Sequence, residues 1–416
     1  MSSSPAGIPR KSKPAESKKQ MLSMELRECP TLEMAQAFLG RKGQAPAKMR
    51  AMRLLLLLLL SSAPLEAQWW KVETSGIDTN LRSVSVARAS NAKGASPWVV
   101  WASGSNGVIL KSADEGETWK RLHLAGGDAL DFRGIVAFNA TTAYVMSSGE
   151  GPRSRIYKTT DGGETWDLQY TNKRKEFFLD SIACLSETHC FALSDPIDGK
   201  FLLLRTTDSE HWNPLPSGNM PAALPREGAF AASNTCLALS GEEIFFGTGG
   251  PAARVFRSPD SGRTWTVAET PIAHNNASSG IFSITRGNEQ QVVVVGGDYQ
   301  DPQRASGIAA FSRDGGHNWQ LSAAQPGGYR SAVARVKESF LAAVGPNGED
   351  LSQDFAAHWK HTDPLDLNAV AFVDSRTGWA VGPHGTIARF VHRNGFEIHY
   401  RRPRLERQPT ASTVAD

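Results

Sequence analysis

Residues 159–166 read Thr159-Thr-Asp161-Gly-Gly163-Glu-Thr165-Trp166, and the same phrase, Ser/Thr-x-Asp-x-Gly-x-Thr-Trp, returns along the chain. Close copies are Ser112-Ala-Asp114-Glu-Gly116-Glu-Thr118-Trp119, Ser258-Pro-Asp260-Ser-Gly262-Arg-Thr264-Trp265 and Ser312-Arg-Asp314-Gly-Gly316-His-Asn318-Trp319. Two copies are worn. Thr206-Thr-Asp208-Ser-Glu-His-Trp212 is one residue short, and Ser352-Gln-Asp354-Phe-Ala356-Ala-His-Trp359 lacks the glycine. An aspartate two residues into a turn accepts backbone N–H bonds, glycine supplies a positive φ, and tryptophan offers a large apolar face. We therefore read Asp114, Asp161, Asp208, Asp260, Asp314 and Asp354 as turn formers and not as catalytic acids. Carboxylates that cleave a glycosidic bond as a pair stand about 5–10 Å apart, which turns in separate repeats cannot achieve.

Each phrase closes a unit that opens with an alternating strand. Seven such openings occur: Leu81-Arg-Ser-Val-Ser-Val, Phe132-Arg-Gly-Ile-Val-Ala-Phe, Leu179-Asp-Ser-Ile-Ala-Cys, Gly228-Ala-Phe-Ala-Ala, Gly280-Ile-Phe-Ser-Ile, Tyr329-Arg-Ser-Ala-Val-Ala and Leu367-Asn-Ala-Val-Ala-Phe. Four strands per unit at a repeat of about 45 residues predict an all-β fold, a seven-bladed β-propeller of four-stranded antiparallel blades over residues 68–392. Seven openings and six phrases leave blade seven one strand short. Gln68-Trp69-Trp70-Lys-Val-Glu matches the tryptophan-then-alternation of the other outer strands, and its pairing would remove an open edge. The rival is Phe396-Glu-Ile-His-Tyr400 behind an Asn394-Gly395 turn.

Upstream of the repeats, Met52-Arg53 precedes seven leucines, Leu54 to Leu60, and a small-residue stretch ending at Ala67. That layout predicts a signal peptide over 52–67, too short an apolar run to span a bilayer, and a secreted or periplasmic mature protein. Residues 1–51 read as a disordered extension or as translation from too early a start, and nothing is built on Cys29. They hold ten Lys/Arg and four Asp/Glu, leaving 35 against 38 for the rest, so the net charge of +3 belongs to the leader. A nearly neutral body argues against nucleic-acid binding. Residues 393–416 form a basic tail. Cys184 and Cys190 flank a five-residue turn and suit either a disulfide or two buried thiols; no zinc-ligand spacing is present.

The phrase and openings such as Asn368-Ala-Val-Ala-Phe-Val-Asp, with Gly378-Trp-Ala-Val-Gly-Pro-His-Gly385-Thr-Ile, resemble Asp-box (bacterial neuraminidase repeat) propellers. Among these they are most similar to the photosystem II stability/assembly-factor family. The resemblance implies a non-catalytic scaffold that binds a protein partner. Sialidases share the repeat but carry an Arg-Ile-Pro segment at the domain start, which this sequence lacks. Gly247-Thr-Gly249-Gly-Pro-Ala252 meets a dinucleotide pattern only superficially, because a strand and not a helix follows it.

One constellation points to a ligand. At the residue entering each inner strand, the units present Arg82, Arg133, Asp180, Glu227, Ser279, Arg330 and Asn368. These positions should encircle one mouth of the central channel, either as a self-paired solvated rim or as an anion site. The basic arc Arg330, Asn368, Arg82 and Arg133 would favour a carboxylate, sulfate or acidic side chain. Longer loops on the same face, including Asp195-Pro-Ile-Asp198 and Asp298-Tyr-Gln-Asp301, suit partner contacts. The expected protein is a monomer without cofactor or metal, binding a protein partner or an acidic glycan there; a glycan-processing enzyme is the rival reading.

Overall fold

The computed structural model describes residues 70–390, apart from 74, 90–96 and 289. The leader, the expected signal peptide, the basic tail and the 396–400 segment lie outside the described residues. The inner strands are Leu81–Arg88, Asp131–Ala137, Leu179–Ser186, Leu237–Ser240, Asn276–Arg286, Ala332–Lys337 and Ala369–Asp374, which define blades 1 to 7. Each packs on the inner strand of the next blade, and that of blade 7 packs on that of blade 1, so the seven antiparallel sheets close a ring.

The N-terminal strand makes the closure. Trp70–Glu73 pairs antiparallel with Ile387–Phe390 and becomes the outer strand of blade 7. Its tryptophan completes a rule that holds around the whole ring. Trp166 packs with blades 1 and 2, Trp212 with blades 2 and 3, Trp265 with blades 3 and 4, Trp319 with blades 4 and 5, and Trp359 with blades 5 and 6. Trp119 fills the seam of blades 7 and 1, and Trp70 that of blades 6 and 7. Each seam is therefore sealed by one large apolar ring from a blade's outer strand.

The repeated turns are closed hydrogen-bond networks. In blade 2, Asp161 accepts the N–H groups of Glu164 and Thr165 at 3.0 Å and the Thr165 hydroxyl at 2.6 Å. Buried Thr159 accepts the N–H of Gly163 at 2.9 Å, and Gly163 has φ of +91°. The worn copies keep the geometry with a different donor. His211 Nδ1 stands 2.8 Å from Asp208, and His358 Nδ1 stands 2.7 Å from Asp354, where the other copies place a threonine hydroxyl or the Asn318 amide. Hydrogen bonds hold the carboxyls of Asp161 and Asp208 well below the usual carboxylate range.

Blade 4 departs from the expected pattern. Gly228-Ala-Phe-Ala-Ala forms no regular strand; only Gly228 makes a bridge, to Gly249. The segment 229–235 lies on the propeller axis. Ala231 O accepts from Arg133 of blade 2 at 3.0 Å, and Ser233 Oγ donates to Ser331 O of blade 6 at 2.7 Å. Asn234 exchanges bonds with Ile182 of blade 3, and Thr235 Oγ1 bonds Ser283 Oγ of blade 5. Only a segment in the channel can reach blades 2, 3, 5 and 6 together. Small residues such as Ala229, Ala231 and Ser233 let a backbone fit there, and the neighbouring blades satisfy its polar groups. The glycine run Gly247-Thr-Gly249-Gly is likewise no helix entrance. Gly249–Gly250 adds a fifth strand to blade 5, and a Cβ on Gly280 would lie 2.3 Å from Gly249 Cα.

Candidate functional site: the channel mouth

A β-bulge builds the mouth. In blades 1, 2, 3 and 5 one residue is skipped in the pairing of the inner strand, between Leu81 and Ser83, Phe132 and Gly134, Leu179 and Ser181, and Ile281 and Ser283. A bulged residue is re-aimed out of the ladder. The re-aimed residues are Arg82, Arg133, Asp180 and Phe282. Ser279, expected at this place in blade 5, is instead buried near Asn276. Phe282 takes the position, stacks on Phe230 at 3.9 Å, and meets Tyr329 and Tyr299 edge-on.

The charges divide unequally. Arg330 is 0% exposed and bonds Asp350 through Nε at 2.7 Å and through Nη2, so its charge is withdrawn from the mouth. Glu227 is buried as well, holding Arg254, the Thr248 hydroxyl at 2.6 Å and the Leu224 N–H at 2.7 Å. Asn368 reaches sideways to Asn80 at 2.6 Å and Leu81 O at 2.8 Å. The expected basic arc of four residues thus contracts to blades 1 and 2.

There, Arg133 donates to Asp131 at 2.7 Å and to Ala231 O, and Asp131 also accepts from Ser105 at 2.9 Å. Arg82 is half-buried, its Nε is buried without a hydrogen bond, and the nearest acid that acts on it, Asp131, is already held by Arg133. Burial, then the charge of Arg133, lower its pKa. Tyr329 is close enough to feel both arginines, and burial raises its hydroxyl. On blade 3, Asp180 is 0% exposed and neither carboxylate oxygen has a hydrogen-bond partner. Burial and the neighbouring Asp195 push its pKa well up. The mouth therefore presents an unsatisfied cation on blade 1 and an unsatisfied buried acid on blade 3.

Two partner residues were not read from the sequence. Asp350 and Arg254, the partners of Arg330 and Glu227, come from the third strands of their own blades. Cys184 and Cys190 are directly opposite on paired strands and form a disulfide, while Cys236 is a buried free thiol. Among the described residues no group of His, Cys, Asp and Glu is arranged to hold a metal ion, and no helix is long and apolar enough to cross a membrane.

Fold and site together define the class: a closed seven-bladed β-propeller with a plugged channel and a polar, loop-rimmed mouth. The chain belongs to the photosynthesis system II assembly factor YCF48 family, which it matches over residues 66–391. Among solved structures it is similar to YCF48 bound to D1 peptide, with 16% identity and a TM-score of 0.57 over 79% of this chain and 99% of that one. It is also similar to YCF48 from Cyanidioschyzon merolae (14%, 0.56, covering 77% and 98%). The extracellular domain of the putative one component system BT4673 from B. thetaiotaomicron shares the fold too (13%, 0.51), the match covering 77% of this chain and 40% of that one. No curated protein matches the chain.

Proposed function

We propose that this protein is a non-catalytic, exported scaffold whose loop face binds a segment of a partner protein, with an acidic group of that segment seated at Arg82 and Arg133. The observation that carries the reading is Arg82, a half-buried guanidinium beside a second arginine, with its Nε unbonded and the nearby Asp131 shared with Arg133. A partner carboxylate would supply the missing charge and fill a guanidinium fork. Family membership supports the reading, as does the D1 peptide bound to the structurally similar YCF48. Export rests on the Met52–Ala67 layout, and N-terminal sequencing of exported protein should begin at or near Gln68.

The test is a titration of the mature protein with a peptide ending in a free carboxylate, against the same peptide as its amide. The acid should bind and the amide should bind more weakly. Arg82→Ala should erase the difference. Equal binding of acid and amide would overturn the proposal. So would turnover of a sialoside or a uronic-acid substrate that vanishes with Arg82→Ala, because the glycan-processing reading would then stand in its place.

A further inference from the structure

The basic half of the mouth meets an aromatic half at one residue. Tyr329, just before the inner strand of blade 6, is 6% exposed, and its ring stands edge-on to Phe282 at 4.7 Å. Phe282 in turn stacks on Phe230 of the channel segment at 3.9 Å and meets Tyr299 at 6.1 Å. The Tyr329 hydroxyl feels the charges of both Arg82 and Arg133 and makes no hydrogen bond to the described residues. Burial keeps its proton on, so it is a donor without an acceptor.

Both halves are left open. Tyr299 is 49% exposed and Phe230 is half-buried, so the rings are not covered by the fold. Arg82 and Arg133 share one acid, Asp131, while burial drives Asp180 toward its neutral form, and the basic half keeps a net positive charge. An anion alone would use the arginines and leave the rings in water. An apolar group alone would do the reverse.

The channel segment 229–235 narrows what can carry both groups. It crosses the axis with Ala231 O held by Arg133 and Ser233 Oγ bonded to Ser331 O, so an entering chain meets backbone and cannot thread the ring. A blind site suits the end of a chain, whose last residue bears a carboxylate and a side chain on the same carbon. We infer that the mouth takes the C-terminal residue of the partner segment and that this residue is aromatic. Tyr329 donates its O–H to the carboxylate held by Arg82 and Arg133, and the partner's ring packs on Phe230 and Tyr299. This rests on the proposed peptide-binding reading and adds the side chain that the site selects. Aromatic rings gain from edge-on and offset-stacked neighbours beyond the area they bury, so the wall separates phenylalanine from leucine.

The probes are octapeptides identical except for a last residue of phenylalanine, leucine or alanine, each as acid and as amide, titrated against the mature protein. Among the acids, phenylalanine should bind about tenfold more tightly than alanine and about threefold more tightly than leucine. Tyr299→Ala should bring the phenylalanine peptide close to the alanine one. Tyr329→Phe removes one unbonded hydroxyl, so the melting temperature should hold while the acids weaken about three- to tenfold and the amides less. If the acids bind better than the amides through Arg82 but the three last residues bind alike, the inference is overturned and the peptide-binding reading survives. Leucine equal to phenylalanine, a phenylalanine preference untouched by Tyr299→Ala, or an acid preference untouched by Tyr329→Phe also overturns it. Acids and amides that bind alike overturn both.

Discussion

The rim turns and the channel mouth are made from the same kinds of residue and treat them in opposite ways. In the turns, every aspartate has several donors, and Asp260 and Asp314 are held at about 2, by the backbone N–H of Thr264 and of Asn318 first. At the mouth, the carboxylate oxygens of Asp180 and the Nε of Arg82 are buried without a hydrogen-bond partner. The turn network repeats from blade to blade even where its donors change from threonine to histidine. The bulged residues at the mouth occur in four blades only, as two arginines, an aspartate and a phenylalanine. Repetition with full satisfaction marks what holds the ring together, and variation with unsatisfied groups marks where a ligand can supply what is missing.

The largest test of that division is Trp70→Ala. Removing the ring that seals the last seam should cost about 3–5 kcal/mol, read as a lowered denaturation midpoint, with peptide binding intact while the protein stays folded. A cost below about 1 kcal/mol would be too small for a core tryptophan and would mean that this strand does not hold the ring shut. Next, Arg82→Ala should weaken a carboxylate-bearing peptide by about 10–100-fold with an unchanged melting temperature. A large loss of stability there would move Arg82 to the structural side of the comparison.

Thr159→Val keeps the shape of the side chain but leaves the Gly163 N–H without its acceptor, and should cost about 1–3 kcal/mol. Asp161→Ala should act in the same direction and likewise leave peptide affinity unchanged. Either variant losing its ligand at an unchanged melting temperature would break the distinction.

The smallest effect is the pH profile, where the two regions should pull in opposite senses. Asp260 and Asp314 have lowered pKa values, so their contribution is present above the ordinary 3.8 and lost as pH falls toward 2. Asp195, Glu73 and Glu349 are raised by burial to about 6, 7 and 8. Their contribution is complete below the ordinary carboxylate values and lost as pH rises through those figures. The melting temperature should therefore peak between about pH 4 and 6. Asp180→Asn should flatten the alkaline side, since the raised acid there favours its protonated form in the fold.

The ring was readable because its determinants are local. Asp161, Gly163 and Trp166 sit within one turn, and the Trp70 match to Trp119 favoured the strand that closes the ring, with the Phe396–Tyr400 rival left open. Blade 4 was not readable in the same way. Its Ala-Phe-Ala-Ala alternation is weak, and what takes it into the channel is hydrogen bonding with Arg133, Ile182, Ser283 and Ser331, all distant in sequence. The mouth fell between these cases. Arg82, Arg133 and Asp180 were found at their bulges, but in blade 5 a bulge makes Phe282, not Ser279, their counterpart. Whether Arg330 and Glu227 kept free charges depended on Asp350 and Arg254, which lie 20 and 27 residues away.

Closure by Trp70–Glu73 also sets the order in which the fold can be completed during synthesis. The first strand of the propeller to leave the ribosome pairs with Ile387–Phe390, the last. At about 5–20 residues per second, it waits roughly 15–60 s for its partner to be made. For that interval a tryptophan-bearing edge has no sheet to join, and every intermediate length of chain is an open arc. The final blade is thus a checkpoint on chain completeness, since a polypeptide truncated before Ile387 cannot close its ring.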